Sequence, residues 1–197
     1  MTLFKNKYRI ESARLQGYDY SLPGEYFVTI CAGGMVEYFG DVVNGEMKRN
    51  DIGEIAHKIW MEIPNHHEYT MLDEFIIMPN HVHGIIILCE HGHGKDVANK
   101  NKLSIVDGRD VACNVSTKIS PKRGSLGTVV RSYKSAVSNW CHANGYPDFS
   151  WQPRFYDHII RNDKGLNAIR EYIQNNPAQW EFDRNDPSGL YNWKPND

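Results

Sequence analysis

Apolar positions change period along this chain, and the changes mark its elements. Tyr26-Phe27-Val28-Thr29-Ile30 is a β-branched and aromatic run of strand type. Residues 35–49 read as a hairpin around Asn44-Gly45, the dipeptide suited to a tight primed turn. From Ile52 the spacing becomes helical. Ile52, Ile55, Ala56, Ile59 and Trp60 fall on one face, Asp51 is placed to cap the helix, and Pro64 to end it. Residues 72–78 and 81–88 predict two further strands joined through Pro79-Asn80. The apolar signal then lapses over residues 91–124, which are polar and rich in Gly, Asn and Lys apart from Leu103-Ser104-Ile105-Val106; this predicts a flexible insert. Helical spacing returns with Leu126, Val129, Val130, Tyr133, Val137 and Trp140, between Ser125 as cap and Gly145 as stop. An aromatic, extended stretch over 149–160 leads to a third helix from about Asp163 to Asn176. Leu166, Ala168, Ile169 and Ile173 are its contact positions, Pro177 disfavours its continuation, and a C-terminal tail is expected from about residue 181.

Strands interleaved with two or three helices, and no internal repeat, predict an α+β fold in which helices cover a sheet. At 197 residues, 41% hydrophobic and 12% aromatic, the chain is long enough for one sizeable core and short for two. A single domain over 1–197 is therefore expected. The opening residues lack a secretory apolar stretch, and no run approaches the roughly 18 residues that span a bilayer. A cytoplasmic protein without a membrane partner is the expectation. Cys31, Cys89, Cys113 and Cys141 form no Cys-x-x-Cys pair, which fits reduced thiols and offers neither a zinc knuckle nor a disulfide frame.

The formal net charge of -2 hides a polarised distribution. Ten acidic residues face three basic ones between positions 35 and 90, whereas nine basic residues face three acidic ones between 118 and 170. Lys5, Lys7, Arg9 and Arg14 open the chain against Glu11 alone. Such asymmetry permits a phosphate-binding surface on a nearly neutral protein, and it equally fits solvated faces.

Candidate chemistry begins at His81-Val82-His83. On a strand alternate side chains share a face, so the two imidazoles stand roughly 6 to 7 Å apart on one side, where they can hold one divalent metal. By itself the tripeptide also fits a polar turn or a structural pair. His66, His67, His91 and His93 read as solvated. On the third helix Tyr172 and Asn176 are four apart, hence on neighbouring turns of one face, with Asn175 as the rival amide. A side-chain amide oxygen would complete a site of two imidazoles and one oxygen. Tyr172 as a core aromatic is the competing reading. Tyr133, on an apolar stripe with Val137 four residues on, reads as packing.

Taken together, Met78-Pro79-Asn80-His81-Val82-His83, the segment from Trp151-Gln152-Pro153-Arg154 through Asp157-His158-Ile159-Ile160-Arg161-Asn162, and Tyr172-Ile173-Gln174-Asn175-Asn176-Pro177 resemble the REP-associated tyrosine transposases. These are single-tyrosine transposases of the HUH nuclease superfamily. The stretch Arg14-Leu15-Gln16-Gly17-Tyr18-Asp19-Tyr20-Ser21 is similar too. The resemblance spans most of the chain, excepting 91–124 and the region beyond Trp180, and it rests on the order and spacing of motifs that are each modest alone.

The resemblance implies a ferredoxin-like antiparallel sheet with helices packed on it. It implies metal binding by His81 and His83, with Asn176 as the polar third ligand where relatives often carry Gln, and Tyr172 as the nucleophile. The implied activity is metal-dependent cleavage and joining of single-stranded, hairpin-forming DNA through a 5'-phosphotyrosine, with Mg2+ or Mn2+ as the cofactor. A homodimer whose subunits exchange helices is left open. Arg9, Arg14, Arg131, Lys134, Arg154 and Arg161 are the candidates for phosphate contact, and Trp151, Phe155 and Tyr156 for base stacking. His158 is a candidate base for the phenol, with structural hydrogen bonding as the alternative. A hydrolase using water, or a DNA-binding protein that has lost catalysis, are the competing functions.

Overall fold

The computed structural model describes residues 3–4, 7–8, 15, 17–90 and 124–185. Arg9, Arg14, His91, His93, Cys113 and nearly all of the expected insert lie outside them. A two-residue ladder pairs β1 (Leu3–Phe4) with β2 (Lys7–Tyr8). Then come β3 (Gly24–Cys31), a 3-10 turn at Gly33–Met35, the hairpin of β4 (Gly40–Val43) and β5 (Glu46–Arg49), α1 (Asp51–Met61) and the one-turn α2 (Ile63–His66). The rest is β6 (Thr70–Met78), β7 (His81–Leu88), α3 (Leu126–Ala143), β8 (Tyr156–Ile160) and α4 (Asp163–Asn185).

Four strands form one antiparallel sheet in the order β6-β7-β3-β8. The path β3-α1-β6-β7-α3-β8 is the βαββαβ unit of ferredoxin-like folds, and the expected α+β class holds. Helix α4 is an addition on the sheet's other face. Strand periodicity of two divides the core accordingly. Tyr26, Val28, Ile30, Val82 and Ile86 pack with Ile52, Ala56 and Trp60 of α1 and with Val129, Tyr133 and Val137 of α3. Phe27, Ile85 and Ile160 pack with Leu166, Ile169 and Ile173 of α4. Both faces are covered, which is why β3 and β7 read as continuous apolar runs.

Several local expectations are corrected. The cap of α1 is Asn50, whose Oδ1 accepts from the Gly53 amide at 3.0 Å. Asp51 sits instead in the first turn, where its charge favours the helix N-terminus. Pro64 does not end the helical segment; it occupies the first turn of α2, where a missing N–H costs nothing. Ser125 precedes α3 without a side-chain capping bond. Pro177 lies inside α4, which continues to Asn185. An interior proline costs about 3 kcal/mol, but continuation buries Trp180 to 4% exposure. Burying 150–250 Å² of indole is worth roughly 4 to 6 kcal/mol, enough to carry the helix on. The Asn44-Gly45 turn is of the expected primed type, with φ of 54° and 75°.

Backbone bonds lock the turn that launches β7. The Ala32 amide donates to the Asn80 carbonyl at 2.8 Å and the Phe39 amide to the Pro79 carbonyl at 3.0 Å. Behind it, Gly84 lies under the ring of Trp60, which stacks on Phe75 at 5.6 Å between centroids. A Cβ at Gly84 would collide with the Trp60 ring and come within 3.0 Å of the Phe75 Cβ. Gly84→Ala is therefore expected to destabilise the protein by about 1 to 3 kcal/mol in urea unfolding. An unchanged midpoint would mean that the indole can swing away freely.

Candidate functional site

Register places the site. On β7, His81 and His83 point to the α4 face, opposite Cys31 and Thr29 of β3, and both are fully buried. Their ring centroids are 4.4 Å apart. Burying an imidazole requires partners for its polar atoms, and the outer nitrogens have them. His81 Nδ1 lies 2.7 Å from Asn80 Oδ1, an atom that can only accept, so Nδ1 carries the proton and Nε2 keeps its lone pair. His83 Nδ1 lies 2.9 Å from Thr29 Oγ1. Its other nitrogen, Nε2, is hydrogen-bonded to the Tyr172 hydroxyl across 3.3 Å. The Tyr172 ring meets His83 at 5.2 Å and stands edge-on to Phe27 at 6.1 Å.

Tyr172, Asn176 and Trp180 form one stripe of α4 at four-residue intervals, facing the two histidines. Asn176 is fully buried, and among the described residues neither of its amide atoms has a hydrogen-bond partner; the same is true of His81 Nε2. Asn176 lies close enough to His81 to favour its protonated form, yet the pair does not reach hydrogen-bond geometry. Its rival Asn175 is exposed. Trp180 closes the end of the stripe, its ring 6.0 Å from that of His81. Sequence reasoning missed Trp180 because it ended the helix at Asn176; the continued spacing of four was the available signal.

Burial lowers the pKa of both histidines, His81 to about 3 despite the opposing effect of Asn176, and His83 well below its ordinary value with further repulsion from His81. Both are neutral at pH 7, the form that ligates metals. An unfolded chain takes up protons below about pH 6.5 that these native imidazoles do not. Their contribution is thus complete above pH 6.5 and declines on acidification, by on the order of 1 kcal/mol per pH unit for each, until the folded-state pKa is reached. Urea midpoints should hold between pH 7.5 and about 7 and then fall as pH drops through about 6.5 towards 5, and a flat profile over that lower range would contradict the burial of the pair.

An orphaned polar group in a core costs about 1 to 3 kcal/mol. Here one imidazole nitrogen and one amide are orphaned side by side, and a second imidazole nitrogen is held by a single long bond. The donor set fits a divalent ion held by two imidazoles and an amide oxygen. Among the described residues no three His, Cys, Asp or Glu side chains cluster for a metal, so the set carries no formal negative charge.

Tyr172, His81, His83 and Asn176 come together within one chain. The phosphate-binding candidates are more scattered. Arg154 and Arg161 are exposed at the two ends of β8, and Arg131 is exposed on α3, in the layer behind the sheet. Lys134 turns inward: its ammonium donates to the carbonyls of Gln152 and Arg154, and burial lowers its pKa to about 8. Trp151 packs against Phe39, Tyr133 and Phe149 and donates to the Lys134 carbonyl at 3.1 Å. Half-buried His158, with its pKa lowered first by burial, pairs across strands with Phe27. Tyr133 is buried as expected, its hydroxyl donating to the Ala56 carbonyl at 3.3 Å. His66 is exposed, but His67 is half-buried, contrary to the solvated reading, because the chain turns back into β6 there. Among the described residues Cys31, Cys89 and Cys141 form no disulfide, and no helix is long and apolar enough to cross a membrane.

No family model matches the chain. An uncharacterized protein of Haemophilus influenzae is 37% identical over 180 residues, which cover 88% of this chain and 91% of that protein. Among solved structures, a REP-associated tyrosine transposase bound to a REP hairpin is similar with a TM-score of 0.51 at 18% identity, over 85% of this chain and 74% of the other. At that identity the likeness is one of fold.

Proposed function

Since the chain belongs to one family with the Haemophilus influenzae protein and shares the fold of a REP-associated tyrosine transposase, we propose that it cleaves and rejoins single-stranded, hairpin-forming DNA through a covalent tyrosyl intermediate. The observation that carries this reading is the Tyr172 hydroxyl, 3.3 Å from His83 Nε2 and beside the orphaned polar atoms of His81 and Asn176. A phenol placed at a cluster of neutral ligand atoms suits nucleophilic attack on a phosphodiester better than it suits packing. Hairpin DNA is the substrate class because the structural neighbour is bound to one.

In the proposed reaction Tyr172 Oη forms a bond to phosphorus and the P–O3' bond breaks. The 5' phosphate stays on the tyrosine, the phenol gives up its proton to solvent, and the 3' oxygen takes one from solvent and leaves as a hydroxyl. The reverse attack by a 3' hydroxyl rejoins strands without another energy source, since one phosphodiester has replaced another. His81 Nε2, His83 Nε2 and the Asn176 oxygen would hold Mg2+ or Mn2+, which when bound supplies positive charge to a nonbridging phosphate oxygen. Thr29 and Asn80 fix the imidazoles with both Nε2 atoms turned inward, as partners of metal-binding histidines commonly do. Phe27 beside Tyr172 and Trp180 beside His81 flank the cluster with apolar surface. Exposed Arg154, which precedes the end of β8 that pairs with Thr29, is available to attract backbone phosphates near the site.

The test incubates the protein with a single-stranded hairpin labelled at its 3' end, the portion that would stay on the tyrosine, in Mg2+, Mn2+ or chelator, and resolves the products on a denaturing gel. A label that migrates with the protein only when metal is present supports the reading. Free cleaved DNA without an adduct identifies water as the nucleophile, and intact DNA that is bound but never cut identifies a silent binding protein.

A further inference from the structure

Helix α4 meets the sheet largely through Leu166, Ile169 and Ile173. Such an interface is non-directional, and its spacing nearly repeats each helical turn. A slip of one turn, about 5.4 Å, would set aliphatic side chains back on aliphatic surface while carrying Tyr172 away from His83. These three aliphatic contacts by themselves therefore select the register poorly.

A directional contact lies beside it. Arg170, two residues before Tyr172, grips Asp73 of β6 with both arms: Nε donates to Oδ1 at 2.8 Å and Nη2 to Oδ2 at 2.6 Å. Its third nitrogen, Nη1, donates to Asn167 Oδ1 at 3.1 Å, which braces the guanidinium against its own helix. Asp73 sits where the β6–β7 register shifts between Leu72 and Phe75, a bulge that takes its carboxylate out of the strand's ordinary alternation. Its side chain is 16% exposed and that of Arg170 38%, so the fork is partly shielded from water. Two parallel N–H bonds to one carboxylate fix distance and angle together, unlike a lysine's point charge.

We infer that the Asp73–Arg170 fork is a positioning contact that sets the register of α4 on the sheet and so holds the Tyr172 hydroxyl at His83. The inference rests on the proposed chemistry for its consequence, while the contact itself can be tested without it.

Arg170→Lys keeps the charge and removes the fork; Asp73→Asn keeps the shape and removes the charge. In the full chain without DNA, NMR contacts between the Tyr172 and His83 rings should be present in the wild type and lost or strongly weakened in both variants. With hairpin DNA, adduct formation should slow at least tenfold in each variant while hairpin affinity stays within twofold. The double variant should be no slower than the worse single one, as for two halves of one contact. Ring contacts and adduct rates unchanged within twofold would overturn the inference. So would parallel losses of hairpin affinity and of amide protection throughout the sheet, which would mark a general stability contact. A wild type that forms no adduct would defeat the strand-cleavage reading and leave the ring contacts to decide the positioning role. Should Asp73→Asn fail to fold, Arg170→Lys alone supplies every readout.

Discussion

Tyr172→Phe is expected to abolish the covalent DNA adduct, a loss of at least about a thousandfold, as when the nucleophile is removed from other covalent catalysts. Hairpin binding should persist, because the substitution deletes one oxygen and leaves the ring against His83 and Phe27. The structural cost is small. The hydrogen bond to His83 Nε2 is partly buried and long at 3.3 Å, so its removal should change unfolding free energy by no more than about 1 kcal/mol. Adduct gels, hairpin titration and urea unfolding on the same preparation separate these effects. Cleavage that survives in the variant would reassign the reaction to water, and a large drop in stability would return Tyr172 to the role of a core aromatic.

Asn176→Leu should move activity and stability in opposite directions. The amide is fully buried with both polar atoms orphaned, so a structural account gives it no purpose and some cost. Replacing it with an apolar side chain of similar reach removes up to two unsatisfied groups, each worth about 1 to 3 kcal/mol, against some strain from the extra volume. Without added metal the variant should unfold at or above the wild-type urea midpoint. Adduct formation should fall by about a hundredfold or more, because one of the three proposed metal ligands would be gone. His81→Ala makes the useful contrast, since it opens a cavity beneath Trp180 and should lose both activity and stability. An Asn176→Leu protein that is much less stable yet still forms adducts would show that the amide serves packing.

Much of the fold was legible in local pattern. The strands around Val28, Ile76 and Ile85, the hairpin at Asn44-Gly45 and the helix from Leu126 to Ala143 follow from periodicity and turn chemistry, signals that neighbouring residues carry by themselves. The boundaries that misled were those where packing overrides local preference. Pro177 reads as a stop because a proline weakens any helix, but the burial of Trp180 four residues after Asn176 outweighs it. Pro64 reads as a stop for the same reason and instead begins a new turn.

The candidate site divides the same way. Spacing alone paired His81 with His83 and Tyr172 with Asn176, because the periods of strand and helix put each pair on one face. Lys134 shows the limit: its charge suggested DNA, yet the backbone carbonyls of Gln152 and Arg154 surround its ammonium, and no count of basic residues reveals that.

From its residues alone this chain determined which side chains share a face, since that depends only on the rise and twist of the backbone. The tertiary structure decided that the two pairs face each other, that Asn176 rather than Asn175 turns inward, and that Trp180 joins them. The physical reason is that β7 and α4 are about ninety residues apart along the chain, and their meeting depends on sheet order and on the docking of one helix, quantities that no local pattern contains.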